Sequence, residues 1–486
     1  MRTSGILMPV FSLPSPYGIG TFGKEAYRFV DFLDKAGQSM WQILPLGPTS
    51  FGDSPYQSFS SFAGNPYFID PDMLIEDGLL TKKQVQKFDF GTGCKIDYGK
   101  LYENRLPMLK LAFENFVPDA DYKKFCSDNS WWLEDYVLFS AIKGIHNGKC
   151  WSEWEEGYRL RDEKTLSEVI EKYADTLRFY RFIQYEFNIQ WTALKKYANK
   201  KGIKIIGDLP IYVAYDSADV WADTKQFLLK DGLPTLVAGC PPDAFSKDGQ
   251  LWGNPIYDWE YMEKDGYKWW IRRINYVLEL YDVVRIDHFR GFESFYAIPY
   301  GDKTAKNGKW MKGPDMKLFE KLGKLPIIAE DLGFITPQVR KLLKNSGFPG
   351  MKVLQFAFDT REESDYLPHN YDKNCVVYTG THDNDTIIGW TKTADKADVE
   401  MARRYLQVGD EGFNWAMMRA ALMSVADTAI LMMPDLLGLG SEARINTPSK
   451  LGGNWNWRIG EGCTNDWLAK ILYDNTLLYG RIKKQG

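Results

Sequence analysis

The sequence lacks the patterns that usually bind metals or form disulfide frameworks. Its 6 cysteines are scattered and include no C-x-x-C pair, and its 4 histidines include no H-x-x-x-H pair. No stretch approaches the roughly 18 consecutive apolar residues that a membrane-spanning helix needs. We therefore expect reduced thiols in the cytoplasm, no metal centre and no membrane partner.

An excess of basic residues is missing as well. The 486 residues carry a formal net charge of -4, and the sequence pI is near 5.8. Proteins that bind nucleic acids need a local excess of lysine and arginine to neutralise phosphates, so we expect no nucleic-acid partner. Prolines at positions 9, 14 and 16 interrupt the N-terminal apolar run, which argues against a secretory signal. These totals do not indicate an oligomeric state.

Aromatic residues, in contrast, are abundant. They make up 15% of the chain and include 17 tryptophans. A hydrophobic core accounts for most of these rings, but flat rings also pack well against the apolar faces of sugars. The composition is therefore compatible with a carbohydrate-binding protein.

A glycine pattern near the start raises the possibility of a dinucleotide site. Gly18, Gly20 and Gly23 spell G-x-G-x-x-G between an apolar run and a helix-like segment. In a dinucleotide-binding fold the glycine turn follows its strand directly, and an acidic residue ends the next strand. Here residues 14–17 intervene, and the second apolar run ends in P-L-G-P without a carboxylate. We expect these glycines to shape a loop at the mouth of a barrel instead.

Short apolar runs that end in polar residues recur along the chain. Eight of them can be counted, at 6–13, 40–46, 204–213, 282–289, 326–333, 351–358, 374–384 and 429–437. Continuous apolar runs are typical of strands buried on both faces, as in a parallel sheet covered by helices. Thr336, Pro337 and Gly347 predict the cap, first turn and end of one intervening helix. The pattern predicts a (β/α)8 TIM barrel.

Two gaps are too long for a single crossover. We expect one catalytic barrel domain over 1–486, with a mostly helical insertion at about 47–203 and a long active-site loop at about 225–256. The chain ends soon after the eighth run, so we expect no C-terminal β-sandwich domain.

Charged residues stand at the ends of the fourth and fifth runs. Barrel active sites form at the C-terminal ends of strands. Arg285 and Asp287 share one face of their strand, because side chains alternate, and Glu330 ends the next run. A buried Arg–Asp salt bridge remains an alternative for the first pair, and Asp331 is a candidate helix cap.

The seventh run ends in H-D-N-D, which offers Asp383 and Asp385. Two of the four histidines, His288 and His382, stand beside these strand-end acids. A polar loop or a metal site would also account for such a cluster. Three carboxylates at strand ends are typical of retaining glycoside chemistry, in which one carboxylate attacks the anomeric carbon and another transfers the proton.

Several motifs together resemble one enzyme family. RIDHFRG, IIAEDLG and THDN, in this order and spacing, resemble the α-amylase superfamily. The match is closest to the 4-α-glucanotransferases of glycoside hydrolase family 77, known as amylomaltases or disproportionating enzymes. The resemblance spans essentially the whole chain through SPYGIG, DSPYQ, GDLPIYV, CPPDAFSKDGQLWGNP, GSEARINTP and NWNWR.

The resemblance implies a role for each matching residue. Asp287 corresponds to the nucleophile, Glu330 to the acid/base, and Asp383 to the stabiliser of the transition state. Asp208 corresponds to the aspartate that supports the arginine, and Tyr56 to the ring that stacks on the reacting glucose. The other residues expected to bind substrate are Arg285, His288, His382, Ser54, Asp243, Gln250, Trp252, Phe356 and Asn446.

Each of these side chains also has a simpler interpretation. Tyr56 and Trp252 could be core rings, Asp208 a turn residue before Pro210, and Phe356 barrel packing.

The resemblance further implies transfer of an α-1,4-glucan segment to the 4-hydroxyl of another sugar, with no cofactor. Malto-oligosaccharides and starch- or glycogen-derived glucans are the expected partners, and glucose is an expected acceptor. A hydrolase on the same scaffold is the main alternative. A non-catalytic glucan-binding protein and a metal-dependent sugar isomerase are the alternatives from other classes.

Overall fold

The computed structural model describes residues 2–50, 52–242, 246–361, 364–450 and 452–482. Within these ranges, eight parallel strands form a nearly closed barrel, so the predicted (β/α)8 fold is confirmed. In chain order the barrel strands are Thr3–Leu7, Met40–Gln42, Lys204–Leu209, Val283–Ile286, Ile327–Ala329, Gly350–Val353, Cys375–Tyr378 and Thr428–Met432.

Consecutive barrel strands pair with each other except the fifth and sixth, and the eighth strand pairs with the first. The hydrogen-bonded order runs from the fifth strand down to the first, and then from the eighth back to the sixth. The fifth and sixth strands approach each other where the N–H of Ala329 donates to the carbonyl of Pro349 at 2.9 Å. The C-terminal ends of all strands therefore lie at one end of the barrel, where the predicted site residues follow them.

The strands are shorter than the apolar runs that predicted them. The run at 40–46 contributes only Met40–Gln42, and the run at 6–13 lies mostly beyond Thr3–Leu7. Apolar residues past the strand ends remain buried under the loops; Ile43 and Leu46 are 0% and 3% exposed. Apolar runs report burial, whereas strand bounds depend on which backbone groups find a partner.

Amphipathic helices cover the barrel. The helix Lys24–Lys35 buries Ala26, Phe29, Val30 and Leu33, which are spaced so that they share one face. In the helix Pro337–Ser346, Thr336 accepts the backbone N–H of residue 339, Pro337 occupies the first turn, and Gly347 ends the helix at φ 69°. The predicted cap and stop of this helix are confirmed.

The chain between the second and third barrel strands is largely helical.

No helix in the described ranges combines the length and apolar character needed to cross a bilayer. The described α-helices are Lys24–Lys35, Pro71–Glu76, Lys82–Val85, Tyr98–Glu114, Ala120–Asp128, Ser130–Ile145, Glu156–Arg159, Glu163–Lys172, Ala174–Lys200, Ala218–Ala222, Trp259–Asp265, Lys268–Leu280, Met316–Leu322, Pro337–Ser346, Ile387–Thr393, Lys396–Leu406, Phe413–Met423, Met433–Leu436 and Asp466–Leu478.

The segment predicted as a long loop contains strands in the structure. Leu236–Cys240 and Gln250–Pro255 pair antiparallel, and they form a four-stranded sheet with Ser294–Pro299 and Lys309–Lys312. A separate short hairpin joins Leu229–Lys230 to Leu233–Pro234. The sheet depends on partners distant in sequence, which local periodicity does not reveal.

The glycines of the G-x-G-x-x-G pattern serve close packing. Gly18 has a φ of 76°, and a Cβ atom there would lie 1.8 Å from the carbonyl oxygen of Phe90. A Cβ atom on Gly23 would lie 2.0 Å from the carboxylate of Asp70. That carboxylate accepts the Thr21 hydroxyl and caps the helix Pro71–Glu76. The structure thus agrees with a loop-shaping role for these glycines.

Candidate active site

A buried arginine links two carboxylates at the ends of the third and fourth barrel strands. Arg285 donates from Nη1 to both carboxylate oxygens of Asp208, at 2.7 and 2.6 Å, and from Nη2 to Oδ1 of Asp287 at 3.0 Å. The Asp208 side chain is fully buried, whereas 29% of the Asp287 side chain is exposed. The buried salt bridge considered from the sequence therefore exists, but Asp208 makes it and Asp287 stays accessible.

Tyr56 gives Asp208 a third hydrogen bond. Its hydroxyl donates to Oδ2 of Asp208 at 2.7 Å and lies 3.4 Å from Nδ1 of His382. The Tyr56 and His382 rings stack, with centroids 5.0 Å apart and planes at 20°. Burial and the charge of Asp208 raise the pKa of Tyr56 well above its ordinary value, so the hydroxyl keeps the proton that it donates. Oγ of Ser54 accepts the Tyr56 N–H at 3.2 Å, which fixes the turn that presents the ring.

Glu330 lies beside the end of the fourth strand. Its backbone N–H donates to the carbonyl of Ile286 at 3.0 Å, so the two strand ends are in register. Oε2 of Glu330 accepts the N–H of His288 at 2.7 Å, and Oε1 accepts the N–H of Leu332 at 2.8 Å. Both bonds hold the carboxyl group next to the residue that follows Asp287.

Burial and Arg285 both affect the pKa values of the Asp287 and Glu330 carboxyl groups. Burial raises the pKa of both groups, and the positive charge of Arg285 opposes this rise. The nearby charge of Glu330 raises the pKa of Asp287 further, because like charges repel each other. Arg285 contacts Asp287 directly, which favours the negative charge on Asp287.

Asp383 follows the seventh barrel strand and is held by a distant part of the chain. Nδ2 of Asn446 donates to Oδ1 of Asp383 at 2.6 Å, and the Asn446 N–H donates to the His382 carbonyl at 3.0 Å. Arg444 donates to the backbone carbonyl of Asp383 at 2.7 Å. The Asp383 side chain is 44% exposed, and its Oδ2 lies 3.4 Å from Nε2 of His382. This carboxylate is therefore fixed on one side and open on the other.

Burial favours the neutral form of both histidines beside these acids. Burial lowers the pKa of His288 to about 3 and also holds the pKa of His382 below its ordinary value. Nε2 of His288 is buried and has no hydrogen-bond partner among the described residues. A buried polar atom without a partner is costly, and a ligand hydroxyl at this point would satisfy it.

The four-stranded sheet brings two more predicted residues to the site. The ring of Trp252 stands edge-on to the ring of His288, with centroids 4.9 Å apart and planes at 87°. Nε1 of Trp252 donates to Oε1 of Gln250 at 3.0 Å. Trp252 is partly buried and packs against the core as well as against His288.

The remaining predicted residues differ in outcome. Phe356 follows the sixth barrel strand and is 38% exposed, with its ring against Tyr366 at 5.7 Å, so the barrel-packing interpretation is wrong. Asp243 lies outside the described residues.

Two acids near the strand ends hold the fold together. The prediction of Asp331 as a helix cap is wrong, because its Oδ1 accepts the N–H of Met351 at 2.6 Å and joins the fifth and sixth strands. Asp385 accepts the Ser441 hydroxyl at 2.7 Å and is 7% exposed.

Within the described ranges, no three histidine, cysteine, aspartate or glutamate side chains are placed to share a metal ion.

Comparison with known proteins shows the family of the chain. A family model described as 4-alpha-glucanotransferase matches residues 8–463 of the chain. The chain belongs to the 4-alpha-glucanotransferase family. It is 53% identical to the 4-alpha-glucanotransferase of Clostridium butyricum over 489 residues, covering 98% of this chain and 100% of that protein.

The structure of the chain also resembles solved structures of amylomaltases. The structure of an amylomaltase from Streptococcus agalactiae in complex with acarbose superposes with a TM-score of 0.97 and 42% identity, covering 99% of this chain and 100% of that one. A second amylomaltase, from Corynebacterium glutamicum, has a TM-score of 0.76 and 17% identity, covering 99% of this chain and 75% of that one. The second similarity supports the fold alone.

Sequence reasoning missed two residues that shape this family member's site. Arg444 holds the backbone of Asp383, and Trp455 packs its ring against Tyr56 and His382 at centroid distances of 5.7 and 5.8 Å. Both lie in motifs that carry the resemblance, GSEARINTP and NWNWR. Both residues are far in sequence from the strand ends that they contact, so local sequence patterns gave no indication of these contacts.

Proposed function

We propose that this chain is a 4-α-glucanotransferase that works by retaining double displacement. It would transfer a segment of an α-1,4-glucan to the 4-hydroxyl of an acceptor glucose or glucan. The observation that carries this proposal is the ion pair of Arg285 with Asp287, 3.0 Å long, beside the partly buried carboxyl group of Glu330, which accepts the N–H of His288. Retaining glycoside chemistry requires one ionised and one protonated carboxyl group, and we assign these roles to Asp287 and Glu330.

In the first step Asp287 attacks C1 of the donor sugar. A bond forms between its carboxylate oxygen and C1, and the bond between C1 and the glycosidic oxygen breaks. Glu330 donates its proton to that oxygen, so the reducing-end fragment leaves with a free 4-hydroxyl group. The products of this step are a covalent glycosyl-enzyme and an ionised Glu330.

In the second step the acceptor reverses these changes. Glu330 takes the proton from the acceptor 4-hydroxyl, whose oxygen attacks C1 and displaces the carboxylate of Asp287. Two inversions at C1 give net retention of the α configuration. Asp383 would bind hydroxyl groups of the reacting sugar more strongly in the transition state, since it is fixed by Asn446 and open towards the site.

The other predicted residues would bind the sugars on either side. The stacked rings of Tyr56 and His382 and the unpartnered nitrogen of His288 support a site for the reacting glucose. Trp252 and Gln250 would serve the acceptor, together with Asp243. Ser54 would act through Tyr56, and Phe356 offers an exposed ring for a further glucose unit.

Malto-oligosaccharides and related α-1,4-glucans are the proposed substrates. The acarbose complex of the amylomaltase from Streptococcus agalactiae supports an oligosaccharide in this type of site. A cytoplasmic location and independence from cofactors stay predictions. A hydrolase differs only in admitting water to the glycosyl-enzyme, so product analysis separates the two activities.

The test is to incubate the purified protein with maltotriose and to quantify the products by size. Wild type should form glucose together with maltopentaose and longer chains, and Asp287→Asn should form none of them. Asp359→Asn, which removes a carboxylate paired with Arg361, should match wild type. Glucose and maltose without longer chains would replace the transferase with the hydrolase. Full activity of Asp287→Asn would refute the assigned nucleophile.

A further inference from the structure

Trp455 completes a cluster of three rings behind the reacting carboxylates. Its centroid lies 5.7 Å from that of Tyr56 and 5.8 Å from that of His382, and these two rings are 5.0 Å apart. Trp455 is only 5% exposed, so it is covered by the two rings and the surrounding chain. One side chain therefore limits the tilt of both rings that are expected to face the sugar.

The backbone at Trp455 is held in an unfavourable conformation. Its φ is 61°, in the left-handed region that bulky side chains rarely adopt. Two hydrogen bonds hold it there: its N–H donates to the carbonyl of Ile445 at 2.8 Å, and its carbonyl accepts the hydroxyl of Tyr98 at 2.8 Å. Strain of this kind persists only where the surroundings enforce it, and it clusters at functional sites.

The orientation of the Tyr56 ring affects the hydrogen bonds of the charged groups next to it. The Tyr56 hydroxyl donates to Oδ2 of Asp208, which accepts two bonds from Arg285, and Arg285 in turn contacts Asp287. A rotated Tyr56 ring would withdraw its hydroxyl from Asp208 and disturb the hydrogen bonds that connect Asp208, Arg285 and Asp287. The Trp455 ring packs against both Tyr56 and His382, so it would hinder rotation of either ring.

We propose that Trp455 is a positioning residue for glucan transfer. It acts through Tyr56 and His382, whose orientation it fixes, and it does not itself react with the sugar. This inference rests on the proposed transferase function. It predicts that the ring of Trp455 contributes to turnover beyond its contribution to folding.

The test compares Trp455→Phe with the matched control Trp457→Phe. Trp457 is also 5% exposed and two positions away, but no ring contact joins it to Tyr56 or His382 in the described part of the chain. Both variants should lower the unfolding temperature. Trp455→Phe alone should lower kcat for maltotriose by about tenfold or more, with KM changed by less than about threefold, because misplaced groups slow the reaction more than they weaken binding.

A second variant separates the ring from the backbone strain. Glycine is at ease at a φ of 61°, so Trp455→Gly deletes the ring without the strain and should show the same loss of kcat. Combining Trp455→Phe with Tyr56→Ala tests the route of the effect. The two losses should be less than multiplicative if Trp455 acts through Tyr56.

Three outcomes overturn the inference. They are equal kcat values for Trp455→Phe and Trp457→Phe, wild-type turnover of Trp455→Gly, and fully multiplicative losses in the double variant. A wild-type protein that does not lengthen maltotriose at all would refute the transferase function itself. The two failures are therefore distinguishable.

Discussion

Replacing Asp208 by asparagine should move the pH dependence of transfer towards acid. The substitution removes a negative charge and nearly preserves the shape of the side chain. The charge of Asp208 raises the pKa of Asp287, so its removal lowers that pKa. The acidic limb of kcat/KM reports ionisation of the nucleophile in the free enzyme, and a lower pKa therefore places this limb at lower pH.

The size of the shift follows from the shared guanidinium. Asp208 contacts Nη1 of Arg285 at 2.6 Å, and Asp287 contacts Nη2 at 3.0 Å. Such carboxylates are about 6 Å apart, and with an effective dielectric constant of about 20 their repulsion is about 3 kcal/mol, or about 2 pKa units. Solvent screens part of this, because 29% of the Asp287 side chain is exposed, and we expect a shift of about 1 pH unit.

The assay is the pH profile of kcat/KM for maltotriose disproportionation, with unfolding followed in parallel. Asp208→Asn should also destabilise the fold, since removing one partner of a buried ion pair costs about 3–5 kcal/mol. Asp219→Asn is the matched control, because that buried carboxylate accepts the N–H of Ser61 at 2.8 Å away from Arg285. It should affect stability and leave the limb in place. An unmoved or alkaline-shifted limb in Asp208→Asn would refute the electrostatic reasoning.

Further predictions concern the acid, the ring, the glycine turn and metals. Tyr56→Phe loses a 2.7 Å hydrogen bond to a charged acceptor and should lower kcat/KM by about 10- to 100-fold; an unchanged value would contradict this role. Glu330→Gln should not act on maltotriose, but an α-maltosyl fluoride should still glycosylate it, because fluoride leaves without a proton; mass spectrometry detects the adduct. Gly18→Ala should destabilise the protein by more than about 1 kcal/mol in thermal unfolding, since its Cβ would meet a carbonyl 1.8 Å away. Chelator should leave transfer unchanged, and activity restored only by added metal would argue against a metal-free site.

Local sequence patterns predicted much of the fold. The apolar runs marked all eight barrel strands, because a strand buried on both faces needs apolar side chains throughout. Thr336 and Gly347 marked the ends of a helix, since capping depends on residues adjacent in sequence. The strand Gln250–Pro255 was not foreseen, because it is specified by partners at residues 236–240 rather than by its own periodicity.

Strand ends likewise indicated which acids meet. Parallel strands deliver their C-terminal residues to one end of the barrel, so Asp287 and Glu330 had to lie near each other once the barrel was predicted. The position at a strand end does not show which of the adjacent acids Glu330 and Asp331 lies next to Asp287. The structure shows that Asp331 bonds to the backbone of Met351 whereas Glu330 faces the fourth strand.

The sequence by itself determined the barrel and the family, because buried strands, helix caps and contiguous motifs are written in neighbouring residues. Only the tertiary structure decided that Asp287 stays accessible while Asp208 is fully buried, and that Trp455 packs on Tyr56 and His382. These contacts join residues separated by up to hundreds of positions. Their geometry is fixed by how the loops fold over the barrel end, which no local pattern records.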